Sequence, residues 1–240
     1  SGTIASWVKY DNSTGYGGVF TYGDSSSAYY FVYFHVAQNG QVRAVVRLDS
    51  PGAENQWGCE TDDSIPMNIW THIAWTQENG VATKFYINGV EATYTCSSEA
   101  VPRVSTYFDD ISTNAERATI GAYGRSDTVH YFKGGIDDML FFTRALNSSE
   151  ISNVHNRGMQ GLTNNITSGL FAYYSFNSNF DDDIGSNDGT ANGDVYIANE
   201  GHIYEVYGTP KLVSSDGKID GSMYFDGDGD YLSIPDSPDW

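Results

Sequence analysis

Apolar and polar positions alternate with a period of two through most of this chain, punctuated by Gly, Asn and Asp. In the run Gln41–Leu48, Val42, Ala44, Val46 and Leu48 share one face while Arg43 and Arg47 take the other, as a half-buried strand requires. The run Tyr29–Ala37 meets it across Asn39–Gly40, a hairpin signal because both turn residues tolerate positive φ. Ile4–Tyr10, Trp70–Thr76, Ala82–Ile87 and Val90–Thr95 read as further strands, the last two joined by Asn88–Gly89. Ala118–Gly121, Gly135–Phe142, Gly169–Phe176 and parts of Gly221–Ile234 complete the set. Only Asn147–His155 carries helical signals: Asn147 as cap, Glu150 three positions on, and Ile151 and Val154 on one face. Between Gly158 and Ser168 the chain is polar and featureless, like a connector. No internal repeat is evident. Many short antiparallel strands with hairpin turns predict an all-β fold, an antiparallel β-sandwich or jelly roll.

Composition narrows this picture. With 18 Tyr, 12 Phe and 5 Trp in 240 residues, the chain suits pleated sheets and lacks the aromatic poverty of disordered segments. No apolar run approaches the ~18–20 residues of a membrane span. A net charge of −19 argues against nucleic acid as a partner, since phosphate binding needs a basic face. Such charge serves solubility or the binding of hard divalent cations. Cys59 and Cys96 are the two cysteines and no CxxC occurs; one structural disulfide in an oxidising, extracellular setting is predicted. The chain opens on Ser1 without Met or a leader and reads as a processed or excised stretch.

Candidate chemistry is sparse. The loop Asp181–Gly189 offers Asp183, Asn187 and Asp188 around Gly185, oxygen ligands of the kind calcium takes in a flexible loop, without the EF-hand spacing. Asp226, Asp228 and Asp230 alternate with glycines, which is turn chemistry. Asp137 and Asp138 are adjacent on a strand and are expected to point to opposite faces. The five histidines form no HExxH, and neither a Gly-x-Ser-x-Gly nor a phosphate loop occurs, so a non-catalytic protein is expected. Loop aromatics are candidate sugar platforms: Trp57, Tyr107, Tyr123 and Tyr131, with Arg125 and Asp127 for hydroxyls. Trp7, Trp70 and Trp75 are expected in the core, and His72 is expected to pack with one hydrogen bond.

Taken together, Trp70–Trp75, Phe85–Val90, Phe132–Glu150, Tyr173–Phe176 and Phe225–Pro235 resemble the laminin-G-like, concanavalin-type lectin/glucanase superfamily. The resemblance implies a structural calcium held by Asp183 and Asn187 with Asp137 or Asp138. The retaining glucanases of that superfamily need two carboxyls roughly 5–5.5 Å apart, and no Glu-x-Asp-x-x-Glu run is present. The segments stand in an unusual order. Residues 1–160 resemble the back two-thirds of the domain and residues 169–240 its front third, with 161–168 as connector. The C-terminal third is therefore expected to complete this chain or a neighbouring one; exchange between copies would give a head-to-tail filament. The function implied is an extracellular structural or adhesive subunit joined to itself or to neighbouring modules, with a carbohydrate-binding module as the alternative.

Overall fold

A computed structural model describes residues 1–11, 15–26, 29–47, 56–78, 83–97, 117–124, 128–157, 166–199, 202–206 and 222–236. The alternating runs become strands β1 (Gly2–Tyr10), β2 (Gly17–Gly23), β3 (Phe31–Val36), β4 (Gln41–Arg47), β5 (Gln56–Ser64), β6 (Thr71–Gln77), β7 (Lys84–Ile87), β8 (Val90–Ala92) and β9 (Tyr94–Cys96). There follow β10 (Arg117–Ile120), the small hairpin β11 (Tyr123–Gly124) and β12 (Thr128–Val129), and β13 (Lys133–Phe142). After helix α1 (Ser148–Arg157) come β14 (Leu170–Tyr174), β15 (Thr190–Asn192), β16 (Tyr196–Asn199), β17 (His202–Val206), β18 (Ser222–Asp226) and β19 (Tyr231–Ile234).

Apart from the β11–β12 hairpin, these strands form two antiparallel sheets. One has nine strands in the order β17-β16-β18-β13-β1-β6-β7-β8, with β14 also paired to β13; the other has eight, β15-β19-β10-β2-β3-β4-β5-β9. Their inner faces share one core in which Phe20, Phe34, Trp75, Phe85, Phe141 and Phe225 are buried. Phe20 and Phe141 meet edge to face at 4.7 Å and tie the two layers together. The Trp75 indole N–H, deep in that core, donates to Thr83 Oγ1 at 2.6 Å. Trp7 is buried as expected, whereas Trp70 is half-buried. Within the same chain, β14 and β18 flank β13 and β19 pairs with β10, so segments from the C-terminal third enter both sheets.

Two departures from the sequence expectation have physical causes. The run Val90–Thr95 is divided: β8 closes on β7 in one sheet, while β9 crosses to pair with β5 in the other. Cys96 thereby lies opposite Cys59, and the two are disulfide-bonded. Second, Asp137 and Asp138 do not alternate. The register against β1 shifts between Ala5 and Trp7, and Asp138 takes φ +47°, the mark of a bulge that adds one residue to a strand. Ile136 and Met139 both face the inner core, so both aspartates sit on the outer side, where both carboxylates act on the Tyr173 phenol.

The outer face of the nine-stranded sheet is apolar and covered. Ala5, Tyr86, Leu140 and Phe142 pack under Leu146, Ile151 and Val154 of the α1 segment. The helix begins as predicted: Asn147 Oδ1 accepts the Ser149 and Glu150 N–H groups at 3.0 Å each, and Glu150 Oε2 accepts the Asn147 N–H at 2.9 Å. Such reciprocal capping satisfies donors that a helix start leaves unpaired. Arg144 grips Glu150 in a bidentate pair at 2.9 and 2.7 Å.

Candidate functional site

The outer face of the eight-stranded sheet carries a different surface. On β3 the core takes Val32, Phe34 and Val36, leaving Phe31, Tyr33 and His35 outward; on β4 it takes Val42, Ala44 and Val46, leaving Arg43 and Val45. Pairing sets Tyr33 beside Val45, His35 beside Arg43, and Arg43 beside Glu60 of β5. The β11–β12 hairpin lies across this face as a flap. It can lie flat because Gly18 and Gly124 lack side chains: a Cβ on Gly18 would come within 2.5 Å of the Ala122 carbonyl carbon, and one on Gly124 within 2.5 Å of Thr119 Oγ1. Thr21 and Thr119 hydroxyls both donate to the Ala122 carbonyl, at 3.0 and 3.2 Å, and the Gly18 N–H donates to the His130 carbonyl at 3.0 Å.

Under the flap is a pocket of about 260 Å³. Its wall is a row of stacked rings: His35 on Tyr33 at 4.1 Å, Tyr33 on Tyr123 at 4.3 Å, and Tyr123 on His130 at 5.8 Å. Tyr16, 44% exposed, stands edge-on to both His35 and His130 at 5.7 Å. His35 is 2% and Tyr33 6% exposed. Among the described residues, neither His35 ring nitrogen nor the Tyr33 hydroxyl has a hydrogen-bond partner. Burial, then the positive charge of Arg43 and His130, holds the His35 pKa well below its ordinary value. Its imidazole is therefore neutral, with one donor and one acceptor to offer. Burial likewise raises the Tyr33 phenol and keeps it a hydroxyl. Buried polar atoms without partners cost about 1–3 kcal/mol each, so a ligand supplying partners would recover that energy. Arg43 Nε lies 3.9 Å from Glu60 Oε2, a loose contact, and Arg43 lines the pocket. A second, wider hollow of about 730 Å³, lined by Gln38, Asn39, Gln41 and Glu60, adjoins the first and shares Tyr16 and Arg43 with it.

Of the predicted sugar-contacting residues, Tyr123 lies in this pocket. Tyr131 is half-buried and does not line it. Trp57 sits opposite Val46 in the β4–β5 pairing; its side chain, like Tyr107, Arg125 and Asp127, lies outside the described residues. The sequence reading missed Tyr16, Tyr33, His35 and His130. Tyr33 and His35 escaped because β3 carries apolar or aromatic residues at every position and shows no contrast between its faces, and Tyr16 and His130 lie outside the strands.

The expected calcium ligands fall into two groups. Asp138 Oδ1 accepts the Tyr173 hydroxyl, and Asp183 Oδ2 accepts the Ser175 N–H at 3.0 Å. Burial raises the Asp138 pKa, the Tyr173 hydrogen bond lowers it and the Asp183 charge raises it. Asn187 and Asp188 instead serve Asp182. That carboxylate accepts the N–H groups of Tyr173, Ile184 and Asn187 and the Asn187 side-chain amide, while Asp188 Oδ1 accepts the Asp182 N–H at 3.1 Å. Asp182, absent from the predicted set, thus organises the loop, with Asn187 and Asp188 engaged by it. Among the described residues, the acidic side chains whose ligand atoms do lie within 4.8 Å of one another are Asp194, Asp226 and Asp230. Asp230 there accepts the Asp194 and Asp226 N–H groups at 2.8 Å each, and burial raises its pKa to about 7. The Asp226 bond closes the turn between β18 and β19, and the Asp194 bond ties the connection between β15 and β16 to it.

His72 also departs from expectation. It packs against Trp7 at 5.4 Å and His155 at 5.6 Å, but neither ring nitrogen is hydrogen-bonded among the described residues. Burial, then the nearby His155, lowers its pKa to about 3.

Among solved structures, the carbohydrate-binding module CBM40 of the Ruminococcus gnavus IT-sialidase, bound to α2,3-sialyllactose, superposes with TM-score 0.53 at 18% identity, over 65% of this chain and 82% of that one. A leech intramolecular trans-sialidase matches with TM-score 0.52 at 17% identity, over 68% of this chain and 23% of its own. The Streptococcus pneumoniae NanB sialidase gives 0.50 at 16%, over 63% and 23%. At these identities the likeness is one of fold. No curated protein matches the chain in sequence. The sequence model of the concanavalin A-like lectin/glucanases superfamily matches residues 1–152, well over half of the chain, and together with the two-layer architecture this shows that the chain belongs to that superfamily.

Proposed function

We propose that this protein is a carbohydrate-binding module that holds a glycan in the groove on the outer face of its eight-stranded sheet. The observation that carries the reading is the pair of buried, unpartnered polar side chains, His35 and Tyr33, in the wall of a ring-lined pocket beside Arg43. Sites of this kind combine apolar ring surface with a few directed polar groups, which suits a sugar with its C–H faces and hydroxyl rims. The likeness to a sialidase's CBM40 supports the same reading. On this view the chain binds without catalysis, in an extracellular setting that suits its disulfide.

Glycan-array screening with neutral and sialylated sugars, followed by calorimetry, tests the proposal. Binding at millimolar affinity or better is expected. Tyr33→Phe and Arg43→Ala should each weaken it about tenfold, the cost of one good hydrogen bond to a charged or buried group, with unchanged circular dichroism. Failure of every sugar to bind, or indifference of binding to both variants, would overturn it. The pairing of β14, β18 and β19 within one chain favours a self-closed module over strand exchange between structural subunits. Light scattering should accordingly give a species near 26.4 kDa; open-ended assemblies would restore the adhesive filament reading. Calcium belongs to the same proposal as a stabilising ion at the Asp138 and Asp183 end of the acidic loop.

A further inference from the structure

Positive charge is scarce in this chain, which holds 12 Lys and Arg against 31 Asp and Glu. Among the described residues, Lys84, Lys133 and Arg144 each meet a carboxylate closely, at 2.9, 3.2 and 2.7 Å. Arg43 differs, because its contact with Glu60 is 3.9 Å long, beyond hydrogen-bond distance. The two side chains stay 30% and 43% exposed, so water weakens the pair further. Arg43 lines both the ring-walled pocket and the adjoining hollow, whereas Glu60 lines the hollow and not the pocket. On the sheet, Arg43 is the direct cross-strand neighbour of His35, with Tyr33 one diagonal step away beside Val45. Such neighbours have Cβ atoms about 4.5–5.5 Å and 7–8 Å apart. A Cβ on Gly58 would lie 3.3 Å from an Arg43 terminal nitrogen, so the guanidinium lies over the bare backbone of β5, next to Val45. Burial dominates the pKa of both His35 and Tyr33, and the Arg43 charge acts on each of them as well.

We infer that the site selects a sugar bearing a carboxylate, a uronic or a sialic acid, whose carboxylate pairs with Arg43 while hydroxyls of the same unit pair with His35 and Tyr33. The inference rests on the glycan reading and deepens it. Ligand classes meet these groups differently. A wall of tyrosine rings attracts cations as well as sugar C–H faces, but the Arg43 charge beside it disfavours a cation. A neutral sugar gives partners to His35 and Tyr33 and leaves Arg43 with its loose contact. A carboxylate completes all three, since guanidinium–carboxylate pairs are planar and bidentate and roughly twice as strong as neutral hydrogen bonds. A phosphate, at about −1.5 to −2 charges, exceeds what one partly neutralised guanidinium balances. The net charge of −19 opposes any anion from afar. Physiological salt screens such fields beyond about 8 Å, so the guanidinium at the site decides.

The test is calorimetry on matched pairs: galacturonic acid with galactose, glucuronic acid with glucose, and 3′-sialyllactose with lactose. The carboxyl methyl ester of each acid and a galactose sulfate complete the set. At least one acid should bind about tenfold more tightly than its neutral counterpart, a difference of about 1.4 kcal/mol, and methyl esterification should remove that gain. The uronic and sialic arms show which placement of the carboxylate fits, and preference for either supports the inference. Arg43→Gln should bring acid and ester to equal affinity, whereas Tyr33→Phe should weaken both alike and keep their ratio. Glu60→Gln removes the carboxylate that competes for Arg43; it should strengthen the acid about threefold and leave its ester unchanged, a gain that a structural role would not give. Equal affinity for acids and esters, preference for the neutral sugar or the sulfate, or an acid preference that survives Arg43→Gln would overturn the inference, while Tyr33→Phe sensitivity still upheld a glycan site. Absence of binding to every probe would overturn the glycan reading itself.

Discussion

The two outer faces of this sandwich are made by the same alternation and end differently. Over the nine-stranded sheet, Leu140 and Phe142 meet a capped helix whose Ile151 and Val154 seal them from water. Over the eight-stranded sheet, Phe31 and Val45 pack with Tyr123 and Val129 of the flap, and beside them Tyr33 and His35 carry polar atoms without hydrogen-bond partners among the described residues. The contrast teaches that an apolar outer face is either closed by the chain itself or kept for something else. One face serves stability and the other is the one proposed for recognition, so perturbing each should give opposite readouts.

The largest effect is expected at the edge of the open sheet, where the cystine pins β9 to β5. Cys59→Ser with Cys96→Ser releases a loop of sequence separation 37 and should cost about 4 kcal/mol in the chain-entropy account, measured by urea denaturation. Next comes the covered face: Ile151→Ala should cost about 3 kcal/mol, within the usual range for a buried Ile, and leave glycan affinity unchanged. A third perturbation uses pH. His72, behind the α1 segment, has a folded pKa of about 3, below the ~6.5 of an unfolded histidine. Below pH ~6.5 the unfolded chain binds a proton that the folded one refuses, so stability falls with slope up to ~1.4 kcal/mol per unit as pH drops towards 3. Asp230, raised to about 7, acts in the opposite direction over part of that range. The difference between wild type and His72→Gln isolates the histidine, and identical pH profiles would refute the assignment. Calcium should raise the melting temperature reversibly to EDTA, by about 2.7 kcal/mol at a hundredfold excess over Kd, and Asp183→Asn should abolish that gain. The smallest stability effect belongs to the open face: Tyr33→Phe, which removes a buried hydroxyl with no partner among the described residues, should raise stability by about 1 kcal/mol while weakening glycan binding tenfold.

What the sequence discloses of the two faces differs for a physical reason. The helix announces itself because Asn147 and Glu150 form a cap with its own spacing, and its apolar pair Ile151 and Val154 stands out against polar neighbours. On β4 the alternation is equally plain, and Arg43 was legible as outward. On β3 it is not: Phe31, Val32, Tyr33, Phe34, His35 and Val36 offer no polar contrast, so period two cannot say which rings face the core. The Asp137–Asp138 bulge escaped for a related cause, since an inserted residue shifts a pattern without leaving a residue type of its own. Asp194 joins Asp226 and Asp230 only through the fold. Nor does any turn residue mark the place where β8 yields to β9 and the chain changes sheets.

The hairpin of β3 and β4 holds Tyr33, His35, Arg43 and Val45 within one short stretch closed by the Asn39–Gly40 turn. By contrast, the covered sheet sets β1 beside β13, with Trp7 paired to Asp137, so it forms only after distant parts of the chain meet. Loop closure over such distances is slow compared with hairpin formation. The β3–β4 part of the proposed binding surface is thus locally encoded, on a scaffold that is not. Selection, or a library restricted to this one hairpin, can change what the groove accepts without rewriting the contacts on which folding of the whole sandwich depends.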